Sequence, residues 1–236
     1  MKTLSLQPSP HTQATASLIR ARRLELKKLD KSAYTIEAVS KFIGCSETHY
    51  QRLEDATRET YHVKWLYGIS KILEIPLNEL CATYLGLSNE ETKKHFTIKV
   101  GDTYSFNNSQ LIKEKRKQLS QSATTKVVQE DISDVVGCSK SHIAHIERGA
   151  RTTKNIKLLY GLAETLNIPL WVLIRNELKL SDSNMEKVIS FSPENSMVAL
   201  RKNIQDKVAT LPEGQLQILD NFLNLLNSST STTPSA

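Results

Sequence analysis

Cys138, His142 and His145 stand at i, i+4 and i+7, a spacing that on a helix gathers three ligands of the kind zinc accepts. Two carboxylates, Glu54 and Glu147, and two guanidinium groups, Arg23 and Arg116, recur at a common spacing and raise acid–base catalysis or base contact as further chemistries. Enzymatic signatures are missing. The chain has no GxxxxGK[ST] loop for phosphates, no GxSxG elbow, no HExxH helix and no defensible carboxylate pair, so an enzyme is not expected. The three cysteines, Cys45, Cys81 and Cys138, form no close pair, and an odd count without a disulfide framework points to a reducing, cytoplasmic setting. Neither a leader-like apolar run nor a membrane-length apolar stretch is found, and no membrane association is expected.

The elements that position these side chains follow from composition and periodicity. With 236 residues, 39% hydrophobic and 24% charged, the chain can bury one large core or two small ones. Only 8 Gly and 7 Pro in that length favour helices over a turn-rich β architecture. The net charge of +6 is compatible with a polyanionic partner without selecting one. Sliding the sequence along itself by 93 positions superposes Gly44-Cys45-Ser46 on Gly137-Cys138-Ser139, Leu66-Tyr67-Gly68 on Leu159-Tyr160-Gly161, and Ile75-Pro76-Leu77 on Ile168-Pro169-Leu170. Roughly a third of the aligned positions are identical, without a gap, which reads as two copies of one domain. The organisation expected is a flexible 1–16, a first domain at 17–84, a linker at 85–108, a second domain at 109–177, a helical segment at 178–227 and a disordered tail at 228–236. Each copy reads as about five helices. A short β-like run is expected at His95–Val100, and helices at Met197–Val208 and about Glu213–Leu226.

Segments 36–55 and 129–148 fit a helix-turn-helix pattern for steric reasons. Gly44 and Gly137 suit a tight turn with positive φ, and Ser40 and Ser133 allow a close helix crossing. Ser46 and Ser139 can cap the second helix, while Val39, Ile43, Cys45, Tyr50 and Leu53, or Ile132, Val136, Cys138, Ile143 and Ile146, close the angle between the two.

The second copy, VQEDISDVVGCSKSHIAHIERGAR, closely resembles the DNA-binding domains of the λ repressor/Cro-like (XRE) family, and the first, TIEAVSKFIGCSETHYQRLEDATR, resembles them less closely. The fold implied is all-α: two tandem five-helix domains plus a C-terminal helical segment. The resemblance implies that the second helix of each motif enters the major groove. Carried over, the contacts fall on Lys140, Ser141, His142, Ala144 and His145, with Glu47, Thr48, His49, Gln51 and Arg52 in the first copy. It further implies a phosphate contact from Gln129 and backbone contacts from Arg151 and Thr152, with Arg58 matching Arg151 and Lys154 extending the basic edge. Glu54 and Glu147 then become structural partners of Arg23 and Arg116, Cys138 turns into the core, and neither cofactor nor metal is expected.

The copies are unequal. The first has Ile36 for Gln129 and Ala56 for Gly149, and places Glu47 and Asp55 where phosphates would lie. Net charges of roughly +2 against +4 assign most phosphate binding to the second. Leu216, Leu219, Leu223 and Leu226 lie near heptad spacing, open to packing on the body or to a homodimer seam, with the seam preferred. The function expected is a bacterial or phage-type repressor on a double-stranded DNA operator; the alternative is an antitoxin or adaptor whose first domain holds a protein partner.

Overall fold

Among the described residues (9–57, 61–99, 104–122, 127–189, 208 and 210–229, without the side chains of 122, 219, 222, 223 and 225–229) the computed structural model has thirteen helices and no strand. Helix α1 (Pro10–Leu29) begins within the stretch expected to be flexible. Ser9 caps it by accepting from the Thr12 N–H at 3.2 Å, Pro10 occupies the first turn, and Thr12, Thr15 and Ala16 are buried. There follow α2 (Ile36–Ile43), α3 (Glu47–Glu54), α4 (Val63–Leu73), α5 (Leu77–Leu85) and α6 (Asn89–Phe96). A second series consists of α7 (Asn108–Ser122), α8 (Gln129–Val136), α9 (Lys140–Glu147), α10 (Ile156–Leu166), α11 (Leu170–Leu178) and α12 (Asp182–Ile189). The bounds of α2 to α6 and of α8 to α12 lie 93 residues apart, helix by helix, and α1 and α7 end 93 residues apart.

The sixth helix of each series corrects the expectation of five. Residues 89–96 are helical where a polar linker leading into a β-like run was expected, and 97–99 are irregular; Val100 lies outside the described residues. The physical reason is a capping box. Ser88 accepts from the Glu91 N–H at 3.2 Å, and Glu91 accepts from the Ser88 N–H at 2.7 Å, which satisfies two donors that a helix start otherwise leaves open.

In the first series α1 packs on α3, α4 and α5, and α2 crosses α3 and α4; in the second α7 packs on α9, α10 and α11, and α8 crosses α9 and α10. Ile19, Leu26, Val39, Tyr50, Leu53, Leu66 and Ile69 fill the first core, and Ile112, Ile132, Ile143, Ile146, Leu159 and Leu162 the second. Each such side chain contributes about 1.5–3 kcal/mol by leaving water. The crossing of the fourth helix on the second is close. A Cβ on Gly68 would sit 2.8 Å from Ile43 Cγ2, and one on Gly161 would sit 3.2 Å from Val136 Cγ1, so glycine lets these helices meet.

An ion pair locks each series. Arg23 donates through Nε and Nη2 to Glu54 at 2.6 and 2.7 Å, with both side chains buried. Arg116 makes the same fork to Glu147 at 2.6 and 2.9 Å. Hydrogen bonding to Glu54 holds the Arg23 guanidinium above its usual range despite its burial. Burial works against the Glu147 carboxylate, but the bonds from Arg116 and Gln129 outweigh it and hold its pKa low.

The two series share one of the two compact units of the chain, Met1–Phe191. Helix α6 packs on α11, α12 on α5, and α4 on α11. His62 and Asn155 form an isolated antiparallel bridge, in which the Val63 N–H donates to the Lys154 carbonyl at 2.9 Å and the Ile156 N–H to the Tyr61 carbonyl at 3.4 Å. His95 is buried on α6, with Nδ1 accepting from the Leu170 N–H at 3.3 Å, Nε2 bonded to Glu164 and the ring edge against Tyr160. Lys94 also bonds Glu164, at 2.6 Å. A neutral ring protonated on Nε2 satisfies both contacts, whereas a proton on Nδ1 would face another N–H. Burial accordingly lowers the His95 pKa in spite of Glu164.

The second unit, Ser192–Ala236, holds α13 (Glu213–Ser229), which runs into the stretch expected to be a disordered tail. Leu216 and Ile218 are exposed on it; the Leu219, Leu223 and Leu226 side chains lie outside the described residues. So does the helix expected over Met197–Val208, apart from Val208, which is helical.

Removing one partner of the buried fork strands a charge. Arg23→Ala is expected to cost about 3–5 kcal/mol in urea unfolding, and the double replacement Arg23→Met/Glu54→Leu far less, since it leaves no lone charge. The His95 contact makes stability depend on pH. The unfolded imidazole titrates near 6.5 and the folded one lower, so its contribution is complete above that value and is lost as the pH falls towards the folded pKa. His95→Gln keeps a donor towards Glu164 and is expected to flatten this decline, measured by unfolding at about pH 7.5 and about pH 5.5.

Candidate nucleic-acid interface

The turn between α8 and α9 is built as its steric logic requires. Gly137 adopts φ 70°, which an L side chain takes up only at a cost, and the Cys138 N–H returns to the Ser133 carbonyl at 3.0 Å. Ser139 then caps α9 by accepting from the His142 N–H at 3.3 Å. Gly44 (φ 75°) and Ser46, which accepts from the His49 N–H at 3.3 Å, repeat the arrangement between α2 and α3. Ala56 keeps the positive φ, at 55°, that Gly149 adopts at 72°. The departure from glycine therefore leaves the backbone path unchanged and places the strain on an alanine.

Helix α9 turns Ile143, Ile146 and Glu147 inward and leaves Lys140 and Ser141 exposed, with His142, Ala144 and His145 half-buried. Lys140 reaches Glu130 at 3.0 Å, a solvated pair that contributes little and that a phosphate can displace. Arg151, Thr152 and Lys154 are exposed on the segment after α9, and Lys157 follows on α10. Arg148 joins this basic edge unforeseen: it is exposed at the end of α9, donating to the Ala144 carbonyl and to His145 Nδ1. The signal for it was present, since its counterpart in the first series is Asp55. Gln129, expected to reach a phosphate, is half-buried and donates its amide to Glu147 at 2.7 Å. As placed, it steadies the ion pair that anchors α9.

Helix α3 offers a different surface. Glu47, Thr48, Gln51 and Arg52 are exposed, whereas the His49 ring lies edge-on to Trp65 with centroids 4.3 Å apart, and the His62 ring lies tilted against the same Trp65 at 4.8 Å. An aromatic contact engages His49, a side chain expected to meet a base or a phosphate. Asp55 is exposed and lies 3.5 Å from Arg20. Arg58 lies outside the described residues.

Cys45 and Cys138 are half-buried and Cys81 is buried; desolvation raises all three thiol pKa values, the opposite of an activated thiolate. Among the described residues no group of three His, Cys, Asp or Glu is placed to hold a metal, and no helix is long and apolar enough to cross a membrane.

Comparison with known proteins agrees with the geometry of the second series. The helix-turn-helix family matches residues 112–170, which run from within α7 to the start of α11, and a second copy is not detected. Comparison with curated proteins and with solved structures gives no match. Residues 112–170 are therefore a helix-turn-helix domain of the XRE type, a type that binds DNA.

Proposed function

We propose that the chain is a sequence-specific, double-stranded DNA-binding transcriptional regulator that acts as a repressor by occupying an operator. One observation carries the reading: within the family-matched segment, α9 is capped at Ser139, anchored through Glu147, and exposes Lys140 and Ser141 at its N-terminal end, the end that reaches base edges in this motif. Lys140, Ser141, His142, Ala144 and His145 are the base-facing set. Arg148, Arg151, Thr152, Lys154 and Lys157 supply the phosphate-facing edge. In the first series Thr48, Gln51 and Arg52 remain available to DNA, but Glu47 and Asp55 oppose phosphates.

The Trp65 cluster, together with the acidic residues around α3, favours a second reading in which the first series holds a protein partner while the second binds DNA. Co-purification of a small partner bound through that surface separates the two.

Selection from random duplexes at two salt concentrations tests the main reading. Duplexes retained at low salt with a common sequence support it, and indifference to every duplex overturns it. The same assay weighs the two helices. Lys140→Glu is expected to weaken binding by about tenfold or more and to lower the salt slope by at least about one, with Arg52→Glu much milder. Equal losses would remove the asymmetry.

A further inference from the structure

We propose that the two helical series form an internal two-fold pair, so that a single chain presents both reading helices to one inverted-repeat site with unequal halves. The inference rests on the DNA-binding reading above and adds the symmetry and stoichiometry of the site.

The contacts between the series carry it. The bridge joins His62 to Asn155, and these residues are each other's counterparts in the 93-residue spacing. A residue meets its own counterpart only across a two-fold axis; a head-to-tail repeat brings a residue against a different one. The flanking bonds obey the same exchange. Val63 donates to Lys154 and Ile156 donates to Tyr61, where Val63 pairs with Ile156 and Tyr61 with Lys154 at the same spacing. The helices do so as well: α6 on α11 is matched by α12 on α5. The packing of α4 on α11 has its mate in α10 meeting α5, where Lys157 Nζ lies 5.3 Å from the centre of the Tyr84 ring.

The axis also lies beside the reading helices. His62 and Asn155 line one groove with His142 from α9 and with Arg151, Thr152 and Lys154 from the segment after it. On the other side of the axis His62 shares Trp65 with His49, the counterpart of His142 on α3. The third residue of each reading helix thus shares a groove or a ring cluster with His62, a residue of the bridge. A duplex is itself two-fold symmetric between its strands, and a protein dyad matches it on an inverted repeat. Because α9 is flanked by Arg148, Arg151 and Lys154 while α3 is flanked by Asp55, the two halves of the site are read unequally.

Selection of duplexes by the full chain, followed by native mass spectrometry of the complex, tests this arrangement. The expected site is an imperfect inverted repeat with half-sites about one helical turn apart, occupied by one chain. Inserting about five base pairs at its centre, half a turn, is expected to weaken binding roughly tenfold or more, to the level of the better half alone. Selected direct repeats, two chains on one inverted repeat, or full tolerance of the insertion would each overturn the internal pair while leaving DNA binding in place. Failure to select any duplex overturns the DNA-binding reading itself, and the inference with it.

Discussion

A guanidinium fork ties the first helix of each series to the last turn of the helix that follows the tight turn, through Arg23 and Glu54 in one and Arg116 and Glu147 in the other. Burying a carboxylate without its partner costs several kcal/mol, so the glutamate can occupy only one direction. Successive residues of a helix are about 100° apart, so fixing Glu147 inward also fixes where Lys140 and Ser141 point. The same commitment explains Gln129, whose amide completes the coordination of Glu147. The exposed face of α9 is thus the remainder left by the inward Glu147, a cap at Ser139 and a left-handed turn at Gly137.

The two series keep this frame while their outer surfaces diverge. Gly44 and Gly137, Ser46 and Ser139, and the two forks are retained, and even Ala56 holds the backbone angle of Gly149. What changes is charge and ring chemistry: Asp55 stands for Arg148, and Trp65 draws His49 and His62 into a cluster. Divergence of this kind alters which surface is offered without disturbing the core that offers it. It agrees with the family match falling on 112–170 alone.

Helices α6 and α12 turn two similar bundles into one unit. Each is short, and each packs across to the fifth helix of the other series, and the buried His95 of α6 also bonds the exposed Glu164 of α10. In the second series Arg175 is almost fully buried, bonding Asp182 of α12 and the Tyr104 and Ser105 carbonyls, and lying 4.0 Å over the Phe106 ring. No residue in the first series corresponds to this arginine, since Ala82 occupies its place.

Residue types and spacing alone determined that the chain is helical, where the tight turns fall, and which serines cap α3 and α9. These depend on local sterics: positive φ needs glycine, an open helix start needs an oxygen, and an amphipathic stripe needs a core. The Arg–Glu pairing was legible through the family resemblance. The sixth helices were legible in principle from Ser88 and Glu91, but their polar composition resembles a linker until a partner surface is present. Tertiary structure alone decided that Gln129 serves Glu147, that His49 turns to Trp65, and that His62 meets Asn155 across the seam. Each of these depends on what a distant segment brings near, and periodicity along one helix carries no information about that neighbour.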